Sequence, residues 1–261
     1  MNHLNNSYKI ILFFLGIFLC NLIVHPPVIG AKCPTPLKIK HVLQKVFPME
    51  SLVIEKIEPA EIPGICKVQI KEGNRYRLLY TDLKGEFILA GNIFEAKSSK
   101  NLTWETTLFL NKLTAGDLLQ LETLTAFTFG RGKKTVYFVT DPQCSYCKQA
   151  ETILKKMAEN DGVLIRYLLF PLASHKGARE QAISILCDKK GLEGWVNGYK
   201  SNNQCPEGAK KVDETVSFLQ KKGISGTPTF IFSDGTFITG TMPEDDLRSK
   251  LGLSKAPQAT K

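Results

Sequence analysis

The sequence predicts a mixed α+β / α/β chain in which a small N-terminal domain, a helical linker and a second domain follow one another. Three observations lead to this prediction. One helix pattern and four short strand-like stretches come first, a leucine-rich helical stretch follows, and after residue 131 strands and helices alternate. The chain has 261 residues, of which 43% are hydrophobic, and this is enough for two domains that each bury a core.

The charge pattern argues against nucleic-acid binding. The formal net charge is +9, and much of the excess lies in lysine pairs such as Lys133-Lys134 and Lys221-Lys222. The sequence has no arginine-rich run and no basic stripe with interleaved aromatic residues, so solvated lysine faces are the simpler interpretation. Seven cysteines against four histidines make thiol chemistry the more informative signal.

The first 31 residues have the pattern of a cleaved signal peptide. The apolar run Ile10–Val24 rises about 22 Å as a helix, which is short of the roughly 30 Å hydrocarbon core of a bilayer. Pro26 and Pro27 end that run, and small residues up to Ala31 suit cleavage. An uncleaved membrane anchor and a buried helix are the alternatives. Removal of residues 1–31 leaves six cysteines, an even number that suits disulfides in a periplasm-like compartment of a Gram-negative bacterium.

Residues 32–100 predict a small antiparallel sheet packed on one helix, which starts near Leu37. Strand-like stretches separated by turn residues follow at Leu52–Ile57, Cys66–Ile70, Arg75–Tyr80 and Glu86–Ala90. Residues 101–130 form the linker. It is predicted to be helical from Thr103 to about Phe129, with an interruption at Ala115-Gly116 that we expect to act as a hinge.

Residues 131–261 predict a strand–helix–strand unit, a helical insertion, and a final hairpin and helix. The predicted strands are Thr135–Thr140, Val163–Phe170, Thr229–Ser233 and Thr236–Gly240. The predicted helices begin near Tyr146, Lys176, Leu192, Lys211 and Pro243. Asp234-Gly235, between the last two strands, is a hairpin-turn signal. This order of elements is a thioredoxin-like arrangement with a helical insertion.

The segment Cys144-Ser145-Tyr146-Cys147 holds two thiols directly after a strand, at the start of a helix. Unpaired amide groups and the positive end of the helix dipole favour a thiolate at Cys144. We therefore expect Cys144 to be the exposed nucleophile and Cys147, one turn further, to be the resolving thiol. A zinc site and a purely structural disulfide are alternatives, but zinc lacks a second ligand pair and His175 is isolated in the sequence. We expect no metal and no cofactor.

The segment Gly226-Thr227-Pro228-Thr229 lies immediately before a predicted strand. A proline at this place suits a cis Thr227–Pro228 bond, which would put open backbone groups beside the active sulfurs. A trans proline at the start of the strand is the alternative, and the residues alone leave both open.

From Phe138 to Leu251 the chain resembles the bacterial periplasmic thiol:disulfide interchange proteins of the DsbC/DsbG type. The stretches that carry the resemblance are Phe138–Cys147, Arg166–Pro171, Gly223–Pro228 and Asp234–Thr236, and in the N-terminal domain Gly85–Gly91 and Asn92–Thr103. The resemblance implies a V-shaped homodimer that reduces or isomerises wrong disulfides in exported proteins. It also implies that a DsbD-like membrane electron donor keeps the dithiol reduced.

The resemblance also implies roles for three pairs of residues. These are the attacking and resolving thiols Cys144 and Cys147, the cis-proline pair Thr227 and Pro228, and a structural disulfide between Cys187 and Cys205 in the helical insertion.

Two features depart from the family pattern. Position 145 is Ser where the isomerase often has Gly, which leaves the redox potential open. Cys33 and Cys66 are additional cysteines in the small N-terminal domain, where a disulfide between them would close a long loop. Two unpaired thiols are the alternative, which an oxidising compartment disfavours.

The function that these features predict is that of a protein disulfide isomerase and reductase. Thr227 before Pro228 and the additional N-terminal domain both resemble the isomerase type. We expect edge strands near Glu86–Gly91 to pair across a two-fold axis, so that a dimer lines a cleft for misfolded clients. A net dithiol oxidase and a holdase-like chaperone with secondary redox activity are the alternative functions. A spacer or a donor-docking module is the alternative role for the N-terminal domain.

Overall fold

The computed structural model describes residues 32–47 and 52–255 of the chain. The signal peptide predicted at residues 1–31 lies outside the described residues. Among the helices in the described ranges, none is long and apolar enough to cross a membrane.

A four-stranded antiparallel sheet and one helix make up the N-terminal part of the structure. Helix α1 (Pro36–Val46) begins where the Thr35 hydroxyl accepts the Lys38 N–H. The strands, paired in chain order, are β1 (Leu52–Pro59), β2 (Ile65–Glu72), β3 (Arg75–Asp82) and β4 (Ile88–Leu89). Ile39 and Leu43 of α1 share one buried core with side chains of β2 and β3. The helix and small antiparallel sheet predicted for this region are therefore confirmed.

The fourth strand is shorter than the prediction. The predicted range Glu86–Ala90 is wrong at its ends, since β4 contains only two residues. The carboxylate of Asp82 accepts the N–H groups of Glu86 and Phe87 at 2.8 and 3.0 Å. These bonds hold the connection in a turn, so that pairing with β3 begins only at Ile88. A two-stranded ribbon of β5 (Phe94–Glu95) and β6 (Lys100–Asn101) then leads into the linker.

Two helices with a short break between them form most of the linker. They are α2 (Leu102–Leu110) and α3 (Ala115–Leu124). The predicted interruption at Ala115-Gly116 is wrong because a capping box starts α3 at that point. Thr114 Oγ1 accepts the Asp117 N–H, and the Asp117 carboxylate accepts the Thr114 N–H. The break therefore lies at residues 111–114.

The predicted helical stretch to Phe129 is also wrong at its end. Residues Phe127–Phe129 form strand β7, which is antiparallel to β9 (Val163–Leu169). The ring of Phe127 stacks on Tyr167 with the two centroids 4.7 Å apart, and Phe129 packs on the same core. In a strand the side chains of residues 127 and 129 lie on the same face, whereas in a helix they would point in nearly opposite directions.

The C-terminal part is a five-stranded mixed sheet. Its remaining strands are β8 (Lys134–Thr140), β10 (Thr229–Phe232) and β11 (Phe237–Thr239), and the spatial order is β11-β10-β8-β9-β7. Helix α4 (Ser145–Asn160) connects β8 to β9, which run parallel, while the other neighbours are antiparallel. The thioredoxin-like fold predicted from the order of elements is confirmed.

Strand β8 contributes to two hydrophobic cores because its side chains alternate between the faces of the sheet. Val136 and Phe138 belong to the core that also contains the buried face of α4. Tyr137 and Val139 belong to a second core that contains Leu121 of the linker. The linker helix α3 thus covers the face of the sheet opposite α4.

Three helices form the insertion, and a fourth ends the described fold. They are α5 (Ala178–Cys187), α6 (Gly191–Val196), α7 (Pro206–Lys221) and α8 (Glu244–Lys250). Helix α7 begins before the predicted start near Lys211. The Cys205 sulfur accepts the Gly208 N–H, and Pro206 occupies the first turn, where no N–H is needed.

The β2–β3 hairpin contacts both the linker and the second sheet. Asn111, in the break between α2 and α3, donates to the Tyr76 carbonyl and accepts the Tyr76 N–H, both at 2.9 Å. The Arg75 guanidinium lies 5.3 Å from the centre of the Phe237 ring. One hairpin therefore joins the N-terminal sheet to the thioredoxin-like part.

Candidate active site

The two cysteines of the Cys-x-x-Cys motif lie at the start of α4. Strand β8 ends at Thr140, and the chain turns through Asp141 and Pro142 before Cys144 takes the N-cap position of the helix. The Cys147 N–H donates to Cys144 Sγ at 3.3 Å. The sulfur of Cys144 therefore takes the place of a capping oxygen at the positive end of the helix dipole, where negative charge is stabilised.

Both thiols are free and recessed. Cys144 keeps 5% of its accessible surface and Cys147 keeps none. Cys144 is less exposed than the sequence predicts, because residues 226–228 lie beside its sulfur. The Thr227 carbonyl oxygen is 3.8 Å from Cys144 Sγ. Cys144 is nevertheless the more accessible of the two thiols.

The loop that faces the cysteines contains a cis peptide bond between Thr227 and Pro228. The Thr229 hydroxyl donates to the Gly226 carbonyl at 2.8 Å, which ties the two ends of this loop together. The side chains of Thr140 and Thr227 are buried next to Cys147. The structure thus brings Cys144, Cys147, Thr227 and Pro228 together in one place.

The resolving position is strongly affected by its burial. Burial raises the pKa of Cys147 to about 12, and the hydrogen bond with Cys144 acts in the same direction. The backbone of Asp141 and the hydroxyls of Thr227 and Thr140 lower the pKa without offsetting the effect of burial. At neutral pH Cys147 is therefore a neutral thiol, which must lose its proton before it can attack a sulfur.

Asp141 connects the active-site turn to the loop after β9. Its fully buried carboxylate accepts the Gln143 N–H through Oδ1 and the Leu172 N–H through Oδ2, both at 2.6 Å. His175 Nδ1 lies 3.0 Å from the same Oδ2. The Cys144 N–H in turn donates to the Asp141 carbonyl. The carboxylate therefore fixes the turn that carries Cys144, and His175 has a partner that the sequence pattern does not reveal.

Glu151 is a buried acid in the active-site helix that sequence reasoning missed. The apolar stripe predicted for α4 comprises Ala150, Ile153, Leu154, Met157 and Ala158. In the structure Glu151 lies within the buried face of the helix, together with Cys147, Ala150 and Leu154. The signal that could have found it is its spacing, because a residue four positions after Cys147 lies on the same face of a helix.

The other four described cysteines form two disulfides away from the motif. Cys33 is bonded to Cys66, which joins the segment before α1 to β2. Cys187 is bonded to Cys205, which joins the end of α5 to the start of α7. Each bond thus attaches a helix to a neighbouring element. Within residues 32–47 and 52–255, no group of three or more His, Cys, Asp or Glu side chains is arranged to hold a metal ion.

The fold and the site together define a class of protein. A Cys-x-x-Cys pair that caps a helix of a thioredoxin-like sheet, opposite a cis-proline loop, is suited to thiol–disulfide exchange. Two family models match the chain: one described as a thioredoxin-like domain over residues 128–254, and one described as the disulfide bond isomerase protein N-terminal domain over residues 30–104.

Curated relatives that match most of this chain are thiol:disulfide interchange proteins. The thiol:disulfide interchange protein DsbC of Pasteurella multocida is 30% identical over 219 residues, which cover 80% of this chain and 89% of that protein. DsbC of Escherichia coli K12 is 22% identical over 213 residues, or 80% of this chain and 86% of that protein. The chain belongs to the DsbC family of thiol:disulfide interchange proteins.

The match to other relatives is shorter. The probable DsbC of Bordetella avium is 30% identical over 180 residues, which cover 67% of this chain and 62% of that protein. The chain therefore spans less than two thirds of the length of that relative.

Proposed function

We propose that the protein reduces and isomerises incorrect disulfides in exported proteins, with Cys144 as the attacking thiol and Cys147 as the resolving thiol. The observation that carries this proposal is the position of Cys144 Sγ. It caps α4, it is more accessible than Cys147, and it lies 3.8 Å from the Thr227 carbonyl of the cis-proline loop. A sulfur there lies at the positive end of the helix dipole and can meet a disulfide held against that loop.

The reaction needs the two cysteines and a client disulfide. The Cys144 thiolate attacks one client sulfur, a mixed disulfide forms, and the other client sulfur leaves as a thiolate. In isomerisation, a client thiolate attacks the client sulfur of the mixed disulfide, which forms a new client disulfide and releases Cys144 with no net transfer of electrons. In reduction, Cys147 displaces the client from Cys144, so the client disulfide gains two electrons and the Cys144–Cys147 pair loses them.

The burial of Cys147 supports isomerisation as well as reduction. Because burial raises the pKa of Cys147 to about 12, only a small fraction of this thiol is ionised at neutral pH. A mixed disulfide on Cys144 is therefore not closed at once by Cys147. The delay gives a client thiol time to attack, which is the step that distinguishes an isomerase from a reductase.

The proposal assigns dimerisation to residues 32–100, with residues 101–130 as the linker and residues 131–261 as the catalytic domain. Within the part of the chain that the structure describes, strand β4 is the last strand of its sheet and pairs with β3 alone. Phe87 and Leu89 at this edge are 72% and 58% exposed. An apolar strand edge of this kind is a template for pairing with a second copy, which would place two active sites around one cleft.

The proposal also includes export of the protein to the periplasm and a donor of electrons for its two active-site cysteines. The predicted signal peptide and the disulfides Cys33–Cys66 and Cys187–Cys205 support a periplasmic location, where disulfides persist. Each reduction leaves Cys144 and Cys147 oxidised. We therefore propose that a DsbD-like membrane protein returns them to the dithiol.

Trapping the thiols of the protein inside cells tests the direction of the reaction. Cells are quenched in acid, free thiols are alkylated with a maleimide that adds mass, and the Cys144–Cys147 peptide is examined by mass spectrometry. We expect the dithiol to predominate. A predominant disulfide would identify a net oxidase instead.

A double variant separates catalysis from chaperone activity. Cys144→Ala combined with Cys147→Ala removes both reactive thiols and leaves the apolar edge of the N-terminal sheet unchanged. We expect this variant to lose the recovery of scrambled client proteins in cells, whatever its effect on their aggregation. Full recovery by the double variant would identify a holdase and contradict the proposal.

A further inference from the structure

Glu151 carries a buried carboxylate oxygen without a hydrogen-bond partner. The residue keeps 6% of its accessible surface, and its Oε1 is fully buried and accepts no hydrogen bond from the described residues. A buried, unpaired carboxylate oxygen is costly, so its presence calls for an explanation. Nothing that holds the fold together, neither an ion pair nor a helix cap, uses this oxygen in the described structure.

The position of Glu151 relates it to the resolving thiol. Cys147 and Glu151 are four residues apart in α4, and both lie on its buried face. Side chains at this spacing have Cβ atoms about 5–6 Å apart. Helical side chains also lean toward the N-terminus of their helix, which is the direction of Cys147 from Glu151.

We propose that Glu151 accepts the proton of Cys147 when Cys147 closes on the mixed disulfide. The inference rests on the proposed function, because it assigns the proton transfer of the resolving step. It also gives the protein a residue that sets the balance between reduction and isomerisation. A faster proton transfer from Cys147 shortens the life of the mixed disulfide, and a slower transfer lengthens it.

The closing step transfers one proton and exchanges one disulfide for another. The Cys147 thiol passes its proton to the Glu151 carboxylate, and the resulting thiolate attacks Cys144 Sγ. The bond between Cys144 and the client sulfur breaks, the client leaves as a thiolate with the electron pair, and the Cys144–Cys147 disulfide forms. Glu151 then releases its proton to the leaving thiolate or to solvent.

The charged and titratable groups around Glu151 are compatible with this role. Burial raises the pKa of Glu151, Glu159 on the same helix raises it further, and Lys155 lowers it. On β9, the buried Tyr167 hydroxyl also has no hydrogen-bond partner. Burial and the charge of Glu151 raise the pKa of Tyr167, so it stays a neutral phenol. A carboxylate with a raised pKa holds a transferred proton better than an exposed one.

An aromatic disulfide reagent, 5,5′-dithiobis(2-nitrobenzoate), tests the proposal on the reduced protein. Attack by Cys144 releases one coloured thiolate, and displacement by Cys147 releases the second. The two phases are followed by rapid mixing between pH 6 and 9 for the wild type, Glu151→Gln and Glu159→Gln. The last variant is a matched control, because it removes the same charge from the same helix twelve residues beyond Cys147.

We expect Glu151→Gln to slow the second phase by on the order of tenfold or more at pH 7, to leave the first phase nearly unchanged, and to steepen the rise of the second phase with pH. Glu159→Gln should leave the first phase unchanged and slow the second phase far less than Glu151→Gln does, since Glu159 acts only through the pKa of Glu151. A second phase with the wild-type rate and pH profile in Glu151→Gln would overturn the proposal. Equal slowing of both phases would also overturn it, since that is the signature of a structural role.

Two further variants keep the test decisive. If Glu151→Gln does not fold, Glu151→Asp replaces it, because the shorter arm should slow the second phase alone, and an unchanged second phase again overturns the proposal. Cys144→Ser tests the proposed function separately. If Cys144→Ser keeps a fast first phase, the assignment of Cys144 as the nucleophile is wrong. If the first phase of the wild type is intact and Glu151→Gln does not change the second phase, only the role of Glu151 is refuted.

Discussion

At the residue scale, the site depends on how completely each buried polar group is hydrogen-bonded. The Asp141 carboxylate accepts two backbone N–H groups and faces His175, whereas Glu151 Oε1 accepts nothing from the described residues. A buried carboxylate with all its partners positions its neighbours, and one without partners is available to take a proton. Sequence patterns do not separate the two cases, because both residues are single acids close to the Cys-x-x-Cys motif.

Replacing Asp141 tests the positioning of the nucleophile. In Asp141→Asn an amide nitrogen takes the place of one carboxylate oxygen and meets an N–H donor, so the turn that carries Cys144 must shift. We expect the free energy of unfolding to fall by about 1–3 kcal/mol and the attack of Cys144 on an aromatic disulfide to slow. Asp188→Asn is the control, since Asp188 accepts three side-chain hydrogen bonds within the insertion. Equal attack rates in the two variants would contradict the positioning role.

The raised pKa of Cys147 predicts how stability depends on pH. The ordinary thiol value is 9.0, and burial raises it to about 12 in the folded protein. As pH rises above about 9, the unfolded chain releases this proton before the folded chain does, so the dithiol form loses stability. Urea unfolding of the reduced protein at pH 8 and pH 10 should show a larger loss for the wild type than for Cys147→Ala. The same loss in both proteins would be evidence against a buried, neutral Cys147.

At the element scale, the close approach between the second disulfide and helix α7 restricts one glycine. A Cβ at Gly208 would lie 2.6 Å from Cys187 Sγ and 3.1 Å from Cys205 Sγ. Gly208→Ala should therefore lower the free energy of unfolding by about 1–3 kcal/mol. Gly116, in the first turn of α3, has its nearest neighbour at 3.8 Å, and Gly116→Ala should be neutral or slightly stabilising. Similar losses in both variants, measured by urea unfolding, would show that the disulfide does not constrain position 208.

Some of the helices and strands could be predicted from the sequence, and others could not. Strands β8 and β9 and helix α4 follow clear periodic patterns, and their predicted bounds lie within a residue or two of the structure. The break in the linker and strand β7 could not be placed from periodicity, because capping by Thr114 and the stacking of Phe127 on Tyr167 decide them. The second of these contacts joins residues forty positions apart, which a local pattern does not contain.

At the scale of the whole molecule, one hairpin links the N-terminal sheet to the rest of the structure. Asn111→Ala removes both hydrogen bonds to the Tyr76 backbone, so we expect hydrogen exchange at the Tyr76 amide to speed up by on the order of tenfold. Asn101→Ala is the matched control, because Asn101 caps the opposite end of α2 and accepts the Trp104 N–H. An equally protected Tyr76 amide in both variants would mean that the hairpin is held by other contacts.

The central claim is that Cys144 catalyses the isomerisation of client disulfides. The most direct measurement follows the recovery of activity by a scrambled multi-disulfide protein, incubated with the reduced protein spanning residues 32–261, with its Cys144→Ser variant, or with its Cys147→Ser variant. We expect recovery with the wild type, none above buffer with Cys144→Ser, and trapped mixed disulfides with Cys147→Ser. Recovery with Cys144→Ser at the wild-type rate would contradict the central claim.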